Sequence, residues 1–445
     1  MDKQNTPEPL VVSNETQNGD SSLASGEARF LSLAVASVLL VIGAIWAAQH
    51  ENLSDSTALS QFYLGIAAMS AGFLIAFRIR GISWPVFWLI TIALRVAFLP
   101  MSPGPDVYRY VWEGHIQTQG FDPYSHPPAD PALIGLRDST WEQVEHKNVS
   151  AIYPPLAEVC FRLLAAISSS PLLFKSAFVL ADLAVCLLLT RRFGIVRSLL
   201  YAWNPLVIYS FAGGAHYDSW LLLCVTAAWL AWEEECLISC AVLIGAAVAI
   251  KWIALPILIW SAWRVARNQG AHRAFKFLFV GALPFLVFWP IATRGHFTAP
   301  LIPADFAMHA RSCELIPAIV SWLWPDRFWR NTIYVLPLAA LTLWLIIRRR
   351  SFSRFGESYL LLLLALSPMV HAWYFTWLIP FAVVTRNVGT IAVSVTAFAY
   401  FGMPFVQGVP EAGSVAVALQ RIIIWLPLIA GYAWSDYLLR KRHAR

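Results

Sequence analysis

Along most of this 445-residue chain the polar positions are confined to short gaps between apolar runs. The runs fall at 30–48, 61–77, 83–99, 154–168, 171–190, 196–212, 219–232, 237–260, 275–292, 332–347, 358–370, 373–385, 388–404 and 415–434. Each is long enough, or nearly so, to cross about 30 Å of hydrocarbon as a helix. The pattern predicts an all-α integral membrane protein, a polytopic helical bundle of about 12–14 spans. The shorter runs, notably 154–168, 219–232 and the pair flanking His371, are tolerated where a helix packs inside a bundle or lines a cavity. Two long polar stretches interrupt the pattern, 101–153 and 293–331. Residues 1–29, rich in Ser, Asn, Gln and Glu, have the composition of a disordered tail and lack the basic-then-apolar order of a cleaved signal.

Composition supports the same class. Hydrophobic residues make up 58% of the chain and charged residues 13%, whereas a soluble domain carries about 25% charged residues. Many of the 21 Trp stand beside the gaps, where amphipathic rings favour the membrane interface. The net charge of +6 comes from short basic clusters at helix ends, as topology requires, and not from a nucleic-acid-binding face. Of the six cysteines, Cys236 and Cys240 are four apart. No His or second Cys pair completes a metal site with them, so the cysteines read as small core residues.

The basic clusters set an orientation. Arg78 with Arg80, Arg264 to Lys276, Arg348 to Arg354 and Arg440 to Arg445 all fall on one side if both termini are cytoplasmic. That places 101–153 and 293–331 on the outer face. Arg191, Arg192 and Arg197 disagree if 154–168 spans. The same count puts His216 and Asp218 on the cytoplasmic side. A re-entrant 154–168 would move both groups to the opposite sides.

The first outer stretch is dense in Asp, Arg, His, Tyr, Trp and Pro, unlike a passive linker, and loops this long in a compact protein usually carry function. It opens with PGPDVYRYVWEGHIQTQGFDPYSHPP. Asp106, Arg109 and Glu113 share a helical face. Gly120, Pro123 and Tyr124 form a turn. The chain returns through Arg137, Trp141, His146 and IYPP, where Tyr153 and the two prolines start a helix whose first-turn amides lack partners anyway.

DVYRYVWEG, GFDPY and IYPP together resemble the motifs of the GT-C superfamily, the multispan glycosyltransferases that use polyprenyl-phosphate sugars, in its bacterial mannosyltransferase-like branch. WNPLVIYSFAGGAHYDSW and SPMVHAWYFTWLIP resemble further motifs of that branch, with Ala372 standing where Pro is usual. The resemblance runs from about Asp106 to Pro380. It implies a seven-span module, here beginning at 83–99 and ending at 275–292, with a large structured first outer loop between its first two spans and a second outer loop after the seventh. The apolar runs and the orientation divide the chain into a disordered cytoplasmic tail 1–29, N-terminal spans 30–99, an outer loop 100–153, which the resemblance makes catalytic, a transmembrane core 154–292, a second outer loop 293–331 and C-terminal spans with a basic tail 332–445. The implied activity is transfer of a hexose, mannose by analogy with the branch, from a polyprenyl-phosphate donor to a glycan or lipid-linked acceptor at the outer face of the plasma membrane. Membrane lipids are the other partners, and nucleic acid is not one.

Such a displacement at an anomeric carbon needs a carboxylate near the bond to take the acceptor proton. By resemblance Asp106 is that residue; its alternative is a helix N-cap. The leaving phosphate needs cations, for which Arg109, Arg137, Lys251 and Arg311 are candidates. Lys251 interrupts the apolar run AAVAIKWIALP, and a charge there marks function by default; the alternative is snorkelling to an interface. Arg311 stands beside His309 and Glu314, as a site residue or in a surface ion-pair cluster. Glu113, Tyr124, His146, Tyr153, His371 and Tyr374 are the other substrate-binding candidates, with His216 and Asp218 as further ones. For His371, Trp373 and Tyr374 a Trp–Tyr interface belt is the more frequent cause of such a cluster, and sugar recognition by aromatic faces the alternative. Asp106 has no Asp two residues on, and only Glu113 and Asp122 could add oxygen ligands, so no obligatory metal is expected. A transporter or flippase of a lipid-linked or anionic substrate is the alternative from another class. It would show repeated halves with matching broken helices, which the sequence does not.

Overall fold

The computed structural model describes residues 15–296, 308–324, 330–402 and 412–443. The described residues form a polytopic helical membrane protein. Six helices are long and apolar enough to cross a membrane, and shorter apolar helices pack among them.

The chain starts with a hairpin of α1 (Glu15–Gln49) and α2 (Ser56–Ala76). Gly43 and Gly65 let the two backbones touch: a Cβ on Gly43 would lie 2.6 Å from the Gly65 carbonyl. Small residues serve this purpose in helix pairs within lipid, where close packing replaces the hydrophobic drive. Asp55 caps α2, accepting from the Ala58 amide at 2.8 Å. The disordered tail expected over 1–29 is corrected from residue 15 onward, because α1 begins there. Extending an existing helix costs far less than nucleating one. Residues 1–14 lie outside the described residues.

Helix α3 (Trp84–Phe98) leads into the first loop, which contains α4 (Asp106–Thr118), a 3₁₀ turn at Pro131–Leu136 and α5 (Ser139–Gln143). The loop has its own small core of Trp112, Ile116, Leu133 and Val144. Helix α6 (Pro155–Ile167) packs on α4, and α7 (Pro171–Phe193) follows. Lys175, in the second turn of α7, donates to the carbonyls of Phe98 at 3.1 Å and Met101 at 2.5 Å. The start of α7 therefore lies at the end of α3. Everything between Met101 and Ser170 stays on one side, so α6 does not cross, and the span drawn at 154–168 is corrected. Farther along, Arg95 of α3 pairs with Asp182 of α7 at 2.8 Å.

The return leg is broken into α8 (Ile195–Ala202), α9 (Pro205–Ile208) and a π-helical turn, Tyr209–Gly213. Asn204 caps α9 through the Leu206 amide at 3.0 Å and donates to Ser394 Oγ at 2.8 Å. The π turn ends at Gly214, whose carbonyl accepts from the Gly104 amide at 3.2 Å. This contact returns the chain to the start of the first loop.

Helix α10 (Asp218–Glu233) then descends to the far face, where Glu233 meets Arg192 at 2.9 Å. The apolar run 237–260, expected as one span, is two helices. Helix α11 (Leu237–Ile250) stops at Lys251, whose backbone is extended (φ −154°, ψ 123°), and α12 (Leu255–Gln269) resumes after a 3₁₀ turn. Lys251 leaves the helix to reach a buried carboxylate, and Pro256 suits the first turn of the new one. One expected span is lost and another is divided, so the later elements keep their sides. Arg191, Arg192 and Arg197 move to the far face with the other basic clusters, and His216 and Asp218 move to the loop face. Burial, and then the charges of Arg197 and Arg80, lower the Arg386 pKa, which gathers three arginines of distant sequence on that far face.

Helix α13 (Ala271–Ala292) ends the central unit. Of the second expected loop, 297–307 and 325–329 lie outside the described residues. Its described part includes α14 (Ile316–Leu323) and a parallel bridge from Ser312 to Met369. The remaining helices are α15 (Val335–Arg348), α16 (Phe352–Leu366), α17 (Ile379–Thr385), α18 (Val388–Thr396) and α19 (Ala412–His443).

Candidate active site

A cavity of about 590 Å³ opens between the first loop, the start of α10, the α11–α12 break and the segment before α17. This is within the usual range for a small-molecule site. It collects residues far apart in sequence: Asp106, Tyr153, Asp218, Lys251, Arg311, His371 and Tyr374 all line it.

Asp106 is the first residue of α4, and the N-cap is Pro105. Its carboxylate turns instead toward His216, whose Nδ1 lies 3.5 Å away. The Asp106 side chain keeps 38% of its surface exposed and lines the cavity. Burial works to raise its pKa. The His216 hydrogen bond and the charges of His216, His371 and Lys251 outweigh burial and hold the carboxyl below its ordinary range. The π turn and Ala215, in the left-handed region at φ 61°, set where His216 points. π turns recur at functional sites because they re-aim side chains.

His216, Trp373 and His371 form a ring stack. The Trp373 ring lies 3.6 Å from His216 with 13° between planes, and 4.4 Å from His371 with 3° between planes. His371 Nδ1 meets the Tyr400 hydroxyl at 2.7 Å. Burial pushes the His371 pKa down to about 4. The stack thus presents neutral His371 beside an ionised Asp106.

Lys251 Nζ pairs with Asp218 Oδ1 at 2.6 Å, and Trp377 Nε1 donates to the same oxygen at 2.7 Å. The rings of Tyr217, Tyr374 and Trp377 surround the ammonium at 5.2, 4.7 and 5.0 Å, within cation–π range. Lys251 does not snorkel to an interface. Its side chain is 16% exposed, into the cavity, while Asp218 is 1% exposed. Asp106 is therefore the carboxylate open to a substrate hydroxyl, and Asp218 is engaged.

Other candidates hold the loop. Arg109 donates to the carbonyls of Glu145, His146, Val149 and Ser150 and pairs with Glu113 at 2.9 Å. Its guanidinium staples the returning strand to α4, and burial pushes the Glu113 carboxyl up despite that partner. His146, at φ 51°, lines the cavity and lends its carbonyl to Arg109. Arg137 donates to Ala129 and Asp130 and stacks over Trp141 at 4.5 Å, inside the loop and off the cavity wall. Tyr124 donates to the Tyr153 carbonyl at 2.7 Å. Arg311 bonds Pro317 and Ser321 and stands on the wall. Sequence reasoning missed Tyr217, Trp377 and Tyr400. Tyr217 lies within WNPLVIYSFAGGAHYDSW and Trp377 within SPMVHAWYFTWLIP, but only the fold makes their rings a cage.

With this geometry in place, the chain can be compared with known proteins. The family model of alpha-(1->6)-mannopyranosyltransferases, in its N-terminal domain, matches residues 22–267. That is more than half of the chain. The protein belongs to the alpha-(1->6)-mannopyranosyltransferase family. The matched stretch contains Asp106, the whole first loop, His216, Asp218 and Lys251. The family's alpha-(1->6)-mannopyranosyltransferase A of Mycobacterium tuberculosis is 26% identical over 220 residues, covering 46% of this chain and 41% of that one. The match thus spans about two fifths of the relative's length.

Proposed function

We propose that the protein is a membrane glycosyltransferase that moves a mannosyl group from a polyprenyl-phosphate donor to a glycan or lipid-linked acceptor at the outer face. The observation that carries this reading is the pairing, in one cavity, of an open ionised carboxylate with a caged ammonium. Asp106 takes the proton of the acceptor hydroxyl as that oxygen bonds to the anomeric carbon. The anomeric bond to the lipid phosphate breaks on the other side, and the phosphate leaves as an anion. Lys251 and Arg311 supply positive charge on the wall where that anion develops. Family membership supports mannose as the sugar. A carboxylate of low pKa is a weak base, so proton transfer belongs late in the step, when the attacking hydroxyl has become acidic.

Two features support an outer-face reaction. The far face gathers Arg80, Arg192, Arg197 and Arg386, and basic residues favour the cytoplasmic side. The cavity lies at the opposite end. A resident metal is not part of this reading: Asp218 Oδ1 is taken by Lys251 and Trp377, so Asp106 and Asp218 do not make an open carboxylate pair, and the other carboxylate on the wall is that of Glu145.

The test uses membranes containing the protein, a panel of labelled polyprenyl-phosphate hexoses and a mixed mannan acceptor. Mannose should transfer, and Asp106→Asn should reduce transfer by about 10²–10⁴-fold at equal folded protein. Undiminished transfer by the variant removes Asp106 from the chemistry, and no transfer by the wild type removes the donor class. A cysteine placed at Glu145 should react with an impermeant reagent from outside intact cells; reaction only after lysis overturns the orientation.

A further inference from the structure

A second cavity, of about 450 Å³, lies at the far end of the molecule from the candidate active site. Its walls are the first turn of α11 and the first turns of α13, with Gln269 from the end of α12 at its edge. The fold explains why it exists. Helices α11 and α13 run in the same direction and touch at Gly245 and Gly281, where a Cβ on Gly245 would collide with the Gly281 carbonyl. Eight residues before these two glycines stand Leu237 and Arg273, about 12 Å back along each axis. Over that length Leu237, Ile238 and Ala241 on one helix and Phe275, Phe277 and Phe279 on the other leave a furrow between them. The glycine crossing fixes the helices together at one level and leaves room below it.

The furrow's apolar walls end at two cations. Arg273 and Lys276 line it at the far face and are exposed, and Arg273 keeps Gln269 as a side-chain neighbour at 3.0 Å. Ile238 is 75% and Phe275 69% exposed, surfaces that suit a spanning protein only against lipid. We propose that this furrow is a binding site for an anionic phospholipid of the surrounding bilayer, with an acyl chain between α11 and α13 and the phosphate on Arg273 and Lys276. Basic pockets between spanning helices at a membrane face take lipid headgroups in this way. The site is separate from the sugar donor's, because the donor's reacting phosphate belongs in the loop-face cavity; to that extent the assignment rests on the proposed function. By bracing the crossing of α11 and α13, the lipid would support the α11 end that carries Lys251.

The experiment is native mass spectrometry of the purified full chain after partial delipidation, titrated with phosphatidylglycerol or phosphatidylcholine. Phosphatidylglycerol should be retained preferentially. An Arg273→Ala/Lys276→Ala variant should bind it about thirtyfold more weakly, the combined effect of two interfacial cations. Ala241→Trp, which fills the furrow and leaves both cations, should lose retention as well. Equal binding of the two lipids, or unchanged binding by both variants, overturns the site. A melting temperature close to wild type confirms that the variants fold. Loss of Asp106-dependent transfer is read separately, so a failed lipid site and a failed enzyme assignment give different results.

Discussion

Among the described residues, Arg95–Asp182 and Lys251–Asp218 are ion pairs set within otherwise apolar surroundings, and they are built differently. Arg95 and Asp182 join α3 to α7 at 2.8 Å with both side chains fully buried. Arg95 also donates to the carbonyls of Thr91 and Ala202, so its guanidinium is committed within the bundle. Lys251 and Asp218 meet at 2.6 Å, but Lys251 stays partly open and looks into the cavity. It has one carboxylate and three aromatic rings, and no carbonyl partner is found among the described residues. The first pair locks two helices in register. The second holds a cation where an anion can come to it. A buried charge is thus a structural device when every donor is used, and a functional one when a donor faces a cavity.

The largest effect expected from this contrast is on folding. Arg95→Ala leaves Asp182 charged and sealed without its partner, which costs about 3–5 kcal/mol. Fluorescence-detected size exclusion after heating should show the loss. Arg95→Met with Asp182→Asn removes both charges and should recover most of that stability, and the recovered protein should transfer sugar at close to the wild-type rate. A double variant that folds but does not transfer would place this pair in the chemistry.

Next in size is the same operation on the open pair. Lys251→Met with Asp218→Asn removes both charges and keeps an acceptor for the Trp377 indole. Its melting should stay near wild type. Its kcat/KM for the lipid-phosphate donor should fall by about 10²–10³, or roughly 2.7–4 kcal/mol, the loss typical of one group that stabilises developing negative charge. Single-turnover kinetics at saturating donor check whether the loss lies in kcat. A normal rate with lost stability would make the two pairs alike and remove Lys251 from the site.

Both pairs contain residues that the sequence marks as unusual, and their distinction shows where sequence reading stops. The first loop is legible because its Pro, Gly and aromatic residues interrupt hydropathy and form a recognisable series. The division at Lys251 is not, since AAVAIKWIALP reads as one apolar run and hydropathy cannot register a single extended residue. Helix α6 misleads for the opposite reason: its buried side chains, Ala157, Val159 and Phe161 among them, pack inside the protein, against the loop helix α4 and the end of α13, without the helix crossing. A signal for both existed in the conflict between the positions of Arg191 and His216. One early error in crossing inverted that short region, and a compensating error at 237–260 hid it downstream. Aromatic neighbours such as Tyr217 and Tyr400 carry no such signal, because a ring at a helix end serves an interface equally well until the fold shows what it touches.

The smallest effect is on the rate as a function of pH, and it separates the site's two roles most finely. Asp106 must be ionised to accept a proton, and its carboxyl is held below the ordinary aspartate value of 3.8. His371 stays neutral down to about pH 4. Neither group titrates between pH 5 and 8, so kcat/KM should change less than about twofold across that range on their account. Stability behaves otherwise. The unfolded chain protonates His371 near pH 6.5 and the folded protein only near 4, so the unfolded state binds more protons in between. Folding stability should therefore decline as pH falls from about 6.5 to 4, by up to about 3 kcal/mol from this residue. The Asp106 contribution has the same sign but is lost at lower pH, as the carboxyl passes through its depressed value. Melting curves and transfer rates on one set of buffers should thus part company between pH 6.5 and 5, with stability falling while the rate holds. His371→Gln should flatten the stability slope in that window. A rate that falls in step with stability would mean that a group titrating near neutrality performs the proton transfer, and would take that role from Asp106.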